Sequence, residues 1–195
     1  MANRVPFDDR GNENIGIDDI SPLLLKDYLT KIDSRLAKAN FATDIETILD
    51  QMQLYDGPKE KRIIKNVAAM MFSEHPEKFF PTTQVDIVVF PKGREVDPEN
   101  FIEVPPIKGP VPMMIRNSLE YLRTNIIKER ITKPTDDERS LKVFNYPFQA
   151  LEEAVVNALY HRDYKEREPV EITIEPDRIS ILSYSGPDRS ISLES

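Results

Sequence analysis

The sequence has no cysteine and no tryptophan, and only 6 glycines and 2 histidines in 195 residues. Without cysteine there is no disulfide framework, no thiolate zinc or iron–sulfur site and no thiol catalysis. The two histidines, His75 and His161, lie far apart in the chain, which argues against a histidine-rich metal site. The few glycines form neither GxGxxG nor GxxxxGK[ST]. A Rossmann dinucleotide site and a P-loop ATPase or helicase motor are therefore not encoded. No apolar run approaches the roughly 18 residues of a membrane helix. The opening MANRVPFDDRG lacks the apolar stretch of a signal peptide. The expectation is a soluble, cytoplasmic protein with no membrane partner. Basic charge is also in deficit, with 26 Lys and Arg against 34 Asp and Glu and a formal charge of -8. Affinity for nucleic acid comes from clustered cations, so this chain alone is a poor general DNA binder.

What is present is proline, 16 residues of it, together with 39% hydrophobic and 31% charged residues. That apolar share supports a packed core. Residues 1–17 are polar and read as an arm or incoming linker. Ser21-Pro22 is a helix start, with Leu23, Leu24, Tyr28, Leu29 and Ile32 striping a helix to about residue 37. A second helix is expected from Thr43, which has the capping-box spacing with Glu46. A third is expected over Lys61–Phe72. Val85, Ile87 and Val89 alternate as a strand ending at Phe90. Residues 91–112 carry six prolines and must be a long crossing loop. A fourth helix follows over about 113–129, then a polar loop over 132–140, and Val143-Phe144 suggests a short strand. Pro147 opens a helix to about His161 with a buried stripe of Leu151, Ala154, Val155, Ala158 and Leu159. Val170, Ile172 and Ile174, a turn at Pro176-Asp177, then Ile179 and Ile181 read as a β-hairpin over 169–183. A helix and one hairpin bury little apolar area alone, so they must share a sheet with Val85–Phe90 or belong to a longer protein. The expected fold is α+β or α/β: a helical segment over 1–72 with an N-terminal arm, and a mixed αβ part over 73–195.

Glu153 and Asn157 stand four residues apart and share a helix face. A carboxylate and a carboxamide presented together can orient a water and hold Mg²⁺ beside a nucleotide phosphate. The surrounding string YPFQALEEAVVNALYHRDY (146–164) is far more specific than the pair. With VPFDDR (5–10), PEKFFP (76–81), EPVEI (168–172) and PDRISI (176–181), it resembles the RecG-like transcriptional regulators. In that family an Alba-type (Schlafen-like) DNA-binding domain precedes a divergent ATPase-like region similar to the GHKL fold of gyrase B, MutL and histidine kinases. The matching strings span nearly the whole chain, and the match begins at the closing edge of the Alba-type domain, around Val5. The resemblance implies ATP and Mg²⁺ as ligands, with Glu153 as general base and Asn157 as the Mg²⁺ ligand. The family's Asp-x-Gly-x-Gly after the next strand, whose Asp recognises adenine, corresponds to the stretch Ile181–Pro187, with Ser183 about where the Asp would be, Gly186 as its one glycine and Pro187 replacing the second glycine. DNA would be bound by a domain outside this chain. The rival reading is a non-catalytic module that forms a homodimer or links the DNA-binding domain to partners; the incomplete glycine motif favours it.

Other features have plainer readings. His161 and Arg162 close a helix and suit its negative end. His75 is a loop residue beside Pro76. Met70-Met71-Phe72 is core. Lys59, Lys61, Arg62 and Lys65 could mimic a helix-turn-helix reader, but in an acidic chain a solvated face is preferred.

Overall fold

A computed structural model describes residues 5–41, 44–132 and 141–184. The fold is α+β. The chain forms two compact units that interleave along the sequence. One comprises Met1–Thr83, Lys108–Pro112 and Tyr164–Arg167; the other Gln84–Ile107, Met113–Asp163 and Glu168–Ser195. The first therefore extends past the expected boundary at residue 72.

In the first unit, helix α1 spans Pro22–Lys31, with Leu25 and Leu29 buried. Pro22 fits the first turn because a helix start needs no N–H there. The Ser21 hydroxyl does not cap the helix; it donates to Glu74 Oε1 at 3.1 Å. Nor does the helix reach residue 37. Asp33 takes a left-handed φ of 51°, Ser34 N–H donates to the Leu29 carbonyl and Asp33 N–H to that of Thr30. That pair of bonds is a Schellman closure. Helix α2, Ile45–Gln51, closes identically through Gln53 at φ 58°, with Leu54 N–H to Leu49 and Gln53 N–H to Asp50. Both left-handed positions, usually glycine, are filled by other residues in this glycine-poor chain. Thr43, expected to cap α2, lies outside the described residues.

The expected helix over Lys61–Phe72 does not form in its first part: Lys61 ends a short 3-10 turn, Lys59–Lys61, and residues 62–65 are not helical. Strand β1, Tyr55–Asp56, pairs antiparallel with β2, Ile63–Ile64, and helix α3 begins only at Asn66 and runs to Phe72. The β-branched pair Ile63-Ile64 prefers the ladder to a helix turn. Ala68, Ala69, Met70 and Phe72 are buried, so that run is core. The N-terminal segment is not a free arm. Asn66, itself buried, donates from Nδ2 to the Phe7 carbonyl at 2.7 Å and accepts from Asn12 Nδ2 at 3.0 Å. Phe7 meets the buried Phe80 edge-on at 5.9 Å.

The second unit is built on a five-stranded mixed sheet. Strand β3, Gln84–Val89, pairs antiparallel with β4, Ile102–Glu103, and also pairs with β5, Ile107–Lys108. After helix α4, Val111–Asn125, comes a separate hairpin of β6, Glu129–Thr132, and β7, Leu141–Phe144. Asn145 clips its stem, accepting from Lys128 N–H at 2.7 Å and donating to the Ile126 carbonyl at 2.9 Å. Helix α5, Phe148–Tyr160, leads into β8, Val170–Ile174, which runs parallel to β3, and β9, Ile179–Leu182, returns antiparallel beside β8. The terminal hairpin does share a sheet with the Val85 strand.

The register Val85↔Val170 and Ile87↔Ile172 places the buried apolar residues of both strands on one face. Met114, Leu119 and Leu122 of α4 and Leu151, Val155, Ala158 and Leu159 of α5 complete the core. Ala154, expected in the buried stripe, is exposed. Beyond β3, Glu175 anchors the start of the proline-rich loop: its Oε1 accepts from Arg94 N–H at 2.9 Å, and its Oε2 accepts from Arg178 Nε. The Arg178 hydrogen bond, then the Arg94 N–H, holds this carboxyl below the usual carboxylate range.

Candidate functional site

The helix pattern of α5 decides which residues face outward. Leu151, Val155, Ala158 and Leu159 recur at three- and four-residue intervals and are buried. Glu153 and Asn157 consequently fall on the exposed side, one turn apart. Neither side chain hydrogen-bonds to another described residue.

Where α5 ends, β9 passes beside it. Ile181 and Ser183 join Ala154, Asn157, Ala158 and His161 around an open pocket of about 440 Å³. That volume falls in the usual range of roughly 300–1,000 Å³ for small-ligand sites. The Ser183 hydroxyl donates to the Ala158 carbonyl at 2.7 Å. Ala158 lies in the last turn of α5, where carbonyls lack intrahelical partners. Ser183 thus caps the helix from the strand. The hydroxyl proton is committed, so towards the pocket Oγ offers lone pairs and acts as an acceptor. Close by, Asp163 N–H donates to the Tyr184 carbonyl at 3.0 Å and fastens the end of β9 to the segment leaving the helix.

Of the sequence-identified residues, Asn157 and Ser183 come together on this pocket. Glu153 is on the same exposed face but does not line it. Gly186 lies outside the described residues. His161, read as a helix-end residue, is the C-cap, with its N–H donating to the Asn157 carbonyl at 3.0 Å; its exposed ring also lines the pocket. Ala154 was missed as a lining residue because its apolar side chain counted towards the core stripe. Arg162 is buried rather than spread over the helix end, and its Nη2 donates to the Glu168 carbonyl at 2.6 Å.

The pocket sits at the C-terminal, partially negative end of α5. Its lining has amide, imidazole and hydroxyl groups but no cationic Lys or Arg. Among the described residues, no group of three or more His, Asp or Glu side chains is placed to hold a metal ion. A single carboxamide such as Asn157 could supply one oxygen to Mg²⁺, with water and phosphate oxygens completing the shell.

The Lys59–Lys65 cluster does not form a free basic face. Arg62 Nη1 lies 3.2 Å from Asp50 and Lys65 Nζ 2.6 Å from Asp9, with Lys61 Nζ 3.9 Å from Glu13. Three of the four cations face a carboxylate, which supports the plainer reading. No described helix is long and apolar enough to cross a membrane.

No protein-family model matches the chain, and no curated protein does. Among solved structures, the fold is similar to that of the DIP2311 protein from Corynebacterium diphtheriae. The TM-score is 0.62 at 19% identity, covering 96% of this chain and 35% of that one. The chain therefore spans about a third of that protein, and at this identity the likeness concerns the fold alone.

Proposed function

We propose that the pocket between α5 and β9 is a divergent nucleotide site of GHKL type, in a chain related to RecG-like transcriptional regulators. The observation that carries this reading is the convergence of Asn157 and Ser183 on one pocket, reached through the order helix, strand, strand. In this reading Ser183, its proton held by Ala158, accepts from the amino group of adenine, the polarity that a carboxylate would have at this place. Asn157 supplies an oxygen to Mg²⁺, and Glu153, one turn earlier on the same exposed face, is the residue that the resemblance names as general base. DNA is engaged by a domain outside these residues.

The test is calorimetric titration of Mg-ATP into the chain and into Asn157→Ala and Ser183→Ala. The expected result is saturable binding that weakens about 10-fold in each variant, the loss of one hydrogen bond to ligand. Absence of binding to the parent, or equal binding by all three, overturns the reading.

One observation favours the rival. Glu153 does not line the pocket, which suits a scaffold that binds nucleotide without hydrolysing it, or a non-catalytic homodimerisation module. Concentration-dependent sedimentation of the chain, with no response to Mg-ATP, would establish that rival.

A further inference from the structure

The sheet has a second cavity, away from the α5–β9 pocket. Between β3, β8 and the proline-rich loop that follows β3 lies a hollow of about 570 Å³. Along β3 and β8 the side chains alternate: Val85, Ile87, Val170 and Ile172 are buried in the core, whereas Asp86, Val88, Glu171 and Thr173 are half-buried; these four line the hollow, and Ile87 and Ile172 also border it. We propose that this cavity binds a small organic cation, an amine or amidinium group carried on a flat apolar body.

The first reason is the floor. Asp86 and Glu171 are register partners on parallel neighbouring strands. Neighbouring strands lie about 4.8 Å apart, and like charges directly opposite one another oppose sheet formation. Neither carboxylate forms an ion pair among the described residues; Asp86 accepts only from Gln84 Nε2, at 2.8 Å. Glu103, on β4, adds a third carboxylate to the same lining. These groups do not converge as a metal site does. They are spread over a space that a larger cation would fill.

The second reason is the wall. Phe90 and Phe101 line the cavity with ring centroids 5.8 Å apart, and Pro98, Val104 and Pro106 continue the apolar surface. One planar cation already lies on it: the Arg94 guanidinium stands 5.8 Å over the Phe90 ring. Arg94 forms no ion pair with the floor carboxylates among the described residues, and as one cation against Asp86, Glu103 and Glu171 it leaves the lining net negative. Its stacking shows which chemistry the wall accepts, a flat positive group against an aromatic face. The loop carrying Arg94 is fixed by Glu175 through the Arg94 N–H, so the wall is pre-formed.

The test uses benzamidine as probe, with neutral benzamide and anionic benzoate as shape-matched controls, by calorimetry on the full chain. The expected result is benzamidine binding at least about 10-fold more tightly than benzamide, with no benzoate binding. Asp86→Asn and Glu171→Gln should each weaken benzamidine about 10-fold while melting no lower than the parent, because each relieves the like-charge pair. Equal binding of benzamidine and benzamide, no binding of benzamidine, or unchanged affinity in both variants overturns the proposal. A Gly-Arg-Gly peptide that binds more tightly than benzamidine also overturns it, by assigning the cavity to a polypeptide side chain. The variants lie outside the α5–β9 pocket, so the Mg-ATP result is independent.

Discussion

Ser183 donates its hydroxyl proton to the Ala158 carbonyl at 2.7 Å, joining the end of β9 to the last turn of α5. The bond has a structural consequence apart from any ligand. In Ser183→Ala the Ala158 carbonyl loses its cap in a partly buried setting, and stability should fall by about 1 kcal/mol. Ser183→Asp should fall further at neutral pH. A carboxylate cannot donate to a carbonyl, and it would sit at the negative end of the helix. Urea denaturation of both variants checks the order. If Ser183→Asp were as stable as the parent, the hydroxyl would not be acting as this cap.

Glu175 makes stability depend on acidity in a defined direction. Its carboxyl is held below its ordinary value, about 4.3 in an unfolded chain, by the Arg178 hydrogen bond and then the Arg94 N–H. A depressed carboxyl favours the folded state above the unfolded value, and that contribution disappears as pH falls through the folded value. Glu175→Gln should therefore be less stable than the parent at pH 7, with the gap closing as pH drops below about 4. Denaturant midpoints of the two proteins at pH 7 and pH 3 give the comparison. A gap that stays constant would show that Glu175 acts through packing and not through charge.

The left-handed closures of α1 and α2 predict a gain. A left-handed residue other than glycine costs about 1–2 kcal/mol, though Asp and Asn tolerate it better than most. Glycine removes that cost but gives back roughly 0.5–1 kcal/mol of chain entropy. Gln53→Gly should thus stabilise by up to about 1 kcal/mol, and Asp33→Gly by less. Thermal melting of the two single variants tests the ranking. Destabilisation by both would mean that the side chains contribute contacts outweighing the backbone strain.

These closures also mark where the sequence was hard to read. Helix α1 was expected to run to residue 37 because its stop signal, glycine, is absent; Asp33 does that work instead. Helix α3 starts late for a related reason. Ile63 and Ile64 satisfy a helical stripe, yet they gain more from pairing with Asp56 and Tyr55, residues a local window does not connect with them. The helix and hairpin at 148–182 were legible because their periodicities are long and bounded by proline turns. Asn157 and Ser183 could be named from the string, but their meeting depends on how α5 packs along β9. Asp86 and Glu171 were not singled out at all. Each alternates with core residues on its own strand, and only the parallel register makes them neighbours.

The polar start of the chain was read as a loose arm, and one buried amide stands at the centre of its attachment. Asn66 is 4% exposed, donates to the Phe7 carbonyl and accepts from Asn12 Nδ2. Its own N–H donates to the Arg10 carbonyl, as that of Val67 does to Asp8 and that of Asn12 to Ile64. Asn66→Ala leaves the Phe7 carbonyl and the Asn12 amide without these partners and should cost about 1–3 kcal/mol. Asn66→Asp should cost more. It replaces the amide donor with a carboxylate oxygen facing the Phe7 carbonyl, on a side chain that is itself buried. Hydrogen exchange separates a local effect from a global one. The Asn12, Asn66 and Val67 amides should lose protection first, while the β3–β8 amides keep theirs. Uniform loss across both units would mean instead that Asn66 supports the whole fold and not just the attachment of residues 5–12.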